Sequence, residues 1–114
     1  GPIGAFNSGC EQQLNIDNIV SPNSFSVCQN YPNPFNPSTT IEYSLIKAGL
    51  VSISVFSLSG RRLIDLVHKY HGVGEYSVDW NGKDNLGNQV STGIYIYRSI
   101  LNDHVENKKM ILAK

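Results

Sequence analysis

Between Gln29 and Ile41 the chain reads QNYPNPFNPSTTI, with three prolines, Pro32, Pro34 and Pro37, inside six residues. Proline fixes φ and has no N–H, so such a run neither continues a helix nor sits within a central strand. Each proline also pushes the residue before it, Tyr31, Asn33 or Asn36, toward extended backbone. The segment is expected to form a stiff bracket of polyproline-like turns with Tyr31 and Phe35 as apolar anchors. It marks the place where an extended approach becomes a folded domain.

On either side of the bracket the pattern differs. Residues 3–21 are rich in Asn, Gln, Ser and Gly, with a short apolar pattern at Leu14, Ile16, Ile19 and Val20. They read as a linker with at most one strand, and Gly1 and Pro2 read as the scar of a removed expression tag. The predicted division is therefore 1–21 as scar and linker and 22–114 as the domain. Phe25 and Val27 alternate with Ser24 and Ser26, a half-buried strand. After the bracket, Ile41, Tyr43 and Leu45 alternate with Thr40, Glu42 and Ser44. The pattern repeats over Val51–Leu58, and a hairpin at Lys47-Ala48-Gly49 is the simplest connection between the two.

Leu63–Val67 predicts a shorter strand, with His68–Gly74 as a polar link. Tyr76, Val78 and Trp80 form the next apolar face, with Trp80 as a core centrepiece. Asn81–Gly93 is a long loop of residues that tolerate left-handed backbone. Ile94–Ile100 and Asn107–Leu112 complete a set of seven strands with no convincing helix. Seven short two-faced strands predict an all-β, immunoglobulin-like sandwich of antiparallel strands. The antibody variety is excluded, because both cysteines precede the core strands.

A chain of 114 residues supports one core. Its formal net charge is +0 with 16% charged residues, which supplies no basic field for nucleic acid or an anionic membrane. No apolar run reaches the ~20 residues that span a bilayer, so no membrane insertion is expected. Cys10 and Cys28 are either bridged or two separate thiols.

No constellation of catalytic residues emerges, and no enzyme activity or cofactor is predicted. Ser59-Gly60 lacks the Gly-x-Ser-x-Gly frame, and Gly72-Val73-Gly74 opens a strand where a pyrophosphate site needs a helix. Asp79, Asn81, Asp84, Asn85 and Asn88 offer oxygens for calcium, but Lys83 and Gly87 fall at the wrong positions and no Glu closes the set. A hydrogen-bonded turn loop is preferred to a metal site at Asp79, Asn81 and Asp84. His68 and His71 lack a third zinc ligand nearby. Tyr95 and Tyr97 share a strand face and, with Tyr76, offer a stacking surface for sugar rings; cross-strand packing is the favoured reading.

Several segments, in order, carry a resemblance. Phe25-Ser-Val-Cys-Gln29-Asn30-Tyr31-Pro-Asn-Pro-Phe35 through Ile41, Lys47-Ala48-Gly49, Trp80-Asn-Gly-Lys-Asp84-Asn-Leu-Gly87, Gly93-Ile-Tyr-Ile-Tyr97-Arg98 and Lys108-Lys-Met-Ile-Leu-Ala-Lys114 resemble the type A C-terminal sorting domain of the type IX secretion system. Two departures are Ile46, where a proline usually stands, and Cys28, where a polar or small residue does. The resemblance implies an immunoglobulin-like module at the end of exported proteins of Bacteroidetes and relatives. It implies an address label for an N-terminal cargo, which transits the periplasm and reaches the cell surface or medium. An outer-membrane shuttle protein of the translocon and a cell-surface sortase are the implied partners, with any cut before Pro22. The recognition residues it implies are Tyr31, Pro32, Asn33, Pro34, Phe35, Gly93, Tyr95, Tyr97, Arg98, Lys108, Lys109 and Lys114. The last strand and its lysines are the expected docking edge. The competing reading is a passive adhesive or glycan-binding accessory module.

Overall fold

The computed structural model describes residues 25–113. Among these residues seven antiparallel strands arise where apolar and polar residues alternate: β1 (Phe25–Val27), β2 (Thr39–Leu45), β3 (Gly49–Ser57), β4 (Arg62–His71), β5 (Gly74–Trp80), β6 (Gly93–Leu101) and β7 (His104–Leu112). They assemble into a three-stranded sheet, β1-β2-β5, and a four-stranded sheet, β4-β3-β6-β7. No helix occurs among the described residues. This is the immunoglobulin-like sandwich that the strand count predicts.

The core lies between the sheets. Phe25, Val27, Ile41 and Leu45 from one sheet pack in one buried cluster with Val51, Ile53, Val55 and Leu101 from the other. Full burial of such side chains contributes about 1.5–3 kcal/mol each. Trp80 ends β5 at 1% exposure, its ring 5.6 Å from those of both Phe35 and Tyr95. Its indole N–H donates to the carbonyl of Lys83 at 2.8 Å, which ties the following loop to the core. That loop needs Gly82: its φ is +79° and a Cβ there would lie 2.6 Å from the Gln89 side chain.

The predicted hairpin between β2 and β3 does not form. β2 pairs with β1 and β5, and β3 pairs with β4 and β6, so the strands belong to different sheets. Ile46, Lys47 and Ala48 step across the roughly 10 Å between packed sheets, a span that an extended connection of this length covers. Alternation looks the same whether the next strand pairs alongside or faces from the opposite sheet.

The predicted link at His68–Gly74 is also corrected. His68, Lys69, Tyr70 and His71 continue β4, paired with Ser52, Val51, Leu50 and Gly49. β4 is an edge strand whose residues 68–70 are exposed, and solvent on both faces removes the apolar alternation that marks a strand. Two register shifts fall opposite Ile53/Ser54 and Val55/Phe56, where Asp65 interrupts the pattern.

Candidate functional site

The proline segment closes through amide side chains. Asn30, 2% exposed, donates from Nδ2 to Thr39 Oγ1 at 2.9 Å and to the Pro32 carbonyl at 3.2 Å. Thr39 Oγ1 donates to the same carbonyl at 2.9 Å. Tyr31 and Thr40 exchange both backbone hydrogen bonds at 2.9 Å. The segment is thus a closed loop, not an extended polyproline run, and the peptides before Pro32, Pro34 and Pro37 are cis. Asn30 was not among the expected site residues, although its place beside the proline run, where backbone carbonyls lack strand partners, hints at this bonding.

Of the two expected anchors only Phe35 serves as one. Phe35 is 1% exposed and packs on Trp80, whereas Tyr31 is 79% exposed and projects outward. Pro32, Asn33 and Pro34 are exposed as well. A concavity of about 670 Å³ beside them is lined by Gln29, Asn30, Tyr31, Asn33 and Glu42, together with Cys28.

The loop is sewn onto β7. The Phe35 N–H donates to the Ile111 carbonyl, and the Ala113 N–H donates to the Phe35 carbonyl, both at 2.9 Å. Asn33 Oδ1 accepts from the Ile111 N–H at 2.9 Å, and Gln29 Nε2 donates to the Lys109 carbonyl at 2.6 Å. β7 is an edge strand, and these contacts occupy its outward backbone groups from Lys109 to Ala113. The part of the expected docking edge from the Lys109 carbonyl onward is therefore paired within the domain. There the strand presents side chains rather than a free ladder.

The Gly93–Arg98 segment forms the strand beside β7, with Gly93 paired to Leu112 and Arg98 to Asn107. Tyr95 and Tyr97 are 6% and 0% exposed, so they face the core and offer no sugar platform. The Tyr97 hydroxyl donates to the Cys28 carbonyl at 2.7 Å, and that of Tyr95 donates to the Ser91 carbonyl. Burial pushes the Tyr97 hydroxyl far above its ordinary pKa, aided by the Glu106 carboxylate and opposed by a backbone hydrogen bond from Asn30. Tyr76 stacks on His71 with ring centroids 4.1 Å apart, so its face is taken as well. Arg98 and Lys109 point outward and Lys108 is half-buried; Lys114 lies outside the described residues.

Other sequence expectations resolve into local bonding. His71 contacts the Tyr43 hydroxyl through Nε2 at 2.8 Å, whereas His68 Nδ1 contacts Ser52 Oγ at 2.9 Å. Three apart on a strand, the two imidazoles project to opposite faces and cannot share a zinc ion. Asp84 Oδ1 accepts the N–H groups of Leu86 and Asn88, Asn81 Oδ1 accepts that of Lys83, and Asp79 Oδ1 accepts from the Thr40 hydroxyl. Their oxygens organise turns and a cross-strand pair. Cys28 is disulfide-bonded, while the other cysteine, Cys10, lies outside the described residues.

A family model described as the secretion system C-terminal sorting domain matches residues 29–113. No curated protein sequence matches the chain. Among solved structures, the fold is similar to that of dimeric latent PorU from Porphyromonas gingivalis, at 20% identity and TM-score 0.65 over 78% of this chain. It is also similar to PorZ, described as an essential surface component of the type-IX secretion system of that organism, at 22% identity and TM-score 0.55 over 75% of this chain. FlgD from Xanthomonas campestris, a hook-capping protein of flagellar assembly, matches at 21% identity and TM-score 0.52 over 79% of this chain and 62% of its own. At these identities the likeness shows the fold. The chain spans only 9% of the PorU chain and 11% of the PorZ chain.

Proposed function

The chain belongs to the secretion system C-terminal sorting domain family, and we propose that it is read as one rigid surface built from the proline segment and the last two strands. The family is the C-terminal sorting signal of the type IX secretion system, a label rather than a catalytic domain, and it marks a secreted or cell-surface protein. The secretion machinery is the general kind of partner. In the proposed sequence of events, the attached cargo transits the periplasm, an outer-membrane shuttle protein recognises the folded label, and a sortase cuts upstream of it.

One observation carries this reading: four hydrogen bonds fix Gln29, Asn33 and Phe35 onto the backbone of Lys109, Ile111 and Ala113. Two segments at opposite ends of the family match become one surface. A surface already ordered loses little conformational entropy on docking, so contact area converts more fully into affinity than it does for a disordered tail. The exposed members of the proposed surface are Tyr31, Pro32, Asn33, Pro34, Arg98 and Lys109. Phe35, Gly93, Tyr95 and Tyr97 build it from beneath.

The test is a reporter fusion in a host that has the pathway, with residues 22–114 attached to a neutral periplasmic protein. Deleting the last seven residues would remove the buried Met110 and Leu112 and unfold the domain. The informative variants are therefore Tyr31→Ser with Lys109→Ser, whose side chains are exposed. Surface delivery is expected for the parent and reduced delivery for the double variant, with unchanged thermal unfolding. Retention of the parent reporter inside the cell overturns the sorting role, and full delivery by the variant removes these residues from the read surface.

A further inference from the structure

The outer face of the four-stranded sheet, which carries Arg98 and Lys109 of the proposed read surface, also holds an aromatic residue beneath two cations. On β3, Ser52, Ser54 and Phe56 share the outward phase, so an aromatic stands where polar residues precede it. Two guanidinium groups lie on that ring: Arg98 Cζ is 4.9 Å from the Phe56 centroid and Arg62 Cζ is 5.9 Å away. Around them a concavity of about 310 Å³ is lined by the same three β3 residues with Asp65 and His68.

The two arginines differ in what they already hold. Arg62 Nε lies 3.6 Å from Asp65, which also accepts from the Ser54 hydroxyl at 2.7 Å. Arg98 donates from Nε to Asn107 Oδ1 at 3.1 Å, and no carboxylate among the described residues lies within ion-pair distance of it. Its terminal nitrogens form a fork steadied by the ring below, a geometry suited to a carboxylate held bidentately.

Apolar residues flank the fork along β6 and β7. Ile94 pairs with Ile111 and Ile100 with Val105, and Ile94, Ile111 and Val105 are each at least 39% exposed. Ile96 and Lys109 form the pair between Ile94 and Arg98. A cation fork on an aromatic ring, bordered by exposed aliphatic pairs, has the composition of an interface core.

We propose that this face binds an extended acidic peptide segment of a protein partner, one carboxylate seated on Arg98 and aliphatic side chains laid along Ile94, Ile96 and Ile111. The proposal rests on the reading that a protein partner reads the domain. Charge complementarity selects the occupant. Arg62, Arg98 and Lys109 give three positive charges and Asp65 cancels one, leaving an excess of positive charge that matches an acidic segment. The aliphatic pairs likewise suit peptide side chains and give nothing to a sugar phosphate.

The experiment titrates the full 114-residue chain calorimetrically with a synthetic peptide of alternating isoleucine and glutamate, with a glutamine-for-glutamate peptide as control. Saturable binding is expected, weaker at higher salt and absent for the control peptide. Arg98→Lys is expected to weaken binding at least about tenfold, because lysine keeps the charge but loses the fork and the stacking. Arg98 is exposed, so the variant is expected to unfold at the parent temperature, and Lys83→Ser, on a distant loop, to bind as the parent does. Equal binding of the control peptide, or of Arg98→Lys, overturns the proposal. Displacement of the peptide by low inorganic phosphate overturns it in favour of a phosphate site. If the peptide fails to bind while the parent reporter still reaches the surface, this inference falls and the sorting role stands.

Discussion

Phe35 and Leu112 form a parallel backbone bridge, the one parallel pairing among the described residues of an otherwise antiparallel sandwich. Around it the Phe35 ring packs on Trp80, while its N–H and C=O join the backbone of Ile111 and Ala113. The proline segment is in this way held by the core from below and by the last strand from the side.

Truncating that ring is expected to loosen both holds. Phe35→Ala removes a side chain that is 1% exposed and leaves a cavity against Trp80, at a cost of about 3–5 kcal/mol. Urea unfolding measures the loss, and emission from Trp80, the single tryptophan, is expected to shift red as water reaches it. A loss below about 1 kcal/mol with unshifted emission would show that the segment is not anchored at this ring.

The side-chain half of the seam is separable from the core half. Asn33 is exposed, and its Oδ1 accepts the Ile111 N–H at 2.9 Å. Asn33→Ala is expected to cost only about 0.5–1 kcal/mol. It is also expected to speed hydrogen exchange at the Ile111 amide while the Phe35 amide, bonded to the Ile111 carbonyl, stays protected. Unaltered exchange at Ile111 counts against the contact.

Much of this architecture is legible in the residues, and the failures share a cause. Strict alternation located β2 over Thr40 to Leu45, because one face of it is buried and the other wetter. The same pattern carries no information on partners, so β2 and β3 read as a hairpin although they lie in opposite sheets. In Ile94–Tyr97 both phases are apolar, and the sequence could not say that the tyrosines face inward. Phe56 follows Ser52 and Ser54 in the polar phase, and its two arginines come from different strands, so only the fold brings them onto its ring. The resemblance joined the proline segment and the terminal lysines by order, and only the fold shows that they touch.

Ser99 is a place where the core holds a polar group without recompense. It is fully buried on β6, its hydroxyl has no hydrogen-bond partner among the described residues, and it stands opposite Glu106, one of whose carboxylate oxygens is likewise buried with no partner among them. A buried hydroxyl with no partner costs on the order of 1–3 kcal/mol in lost hydration. Ser99→Ala is expected to raise stability by about 1 kcal/mol, read as a higher urea midpoint with the same slope. A lower midpoint would mean that the hydroxyl is bonded in solution.

Alkaline pH tests the tyrosine that ties the two sheets together. Tyr97 on β6 is fully buried, and its hydroxyl donates to the Cys28 carbonyl beside β1. Burial raises its pKa well above the ordinary value of about 10, and burial followed by the neighbouring Tyr76 raises that of Tyr43. Below pH 10 both residues are protonated whether the chain is folded or not, so their contribution is constant. Above it the unfolded chain releases these protons while the folded chain keeps them, and stability falls as pH rises. Each such tyrosine removes up to about 1.4 kcal/mol per pH unit until its folded pKa is reached. Urea unfolding at pH 8, 10 and 11 is expected to give a steep decline for the parent. In Tyr97→Phe the decline is expected to be shallower by one proton, starting from a stability about 1 kcal/mol lower because the Cys28 carbonyl loses its donor. Parallel declines in the two proteins would mean that Tyr97 ionises as readily in the folded sandwich as in water.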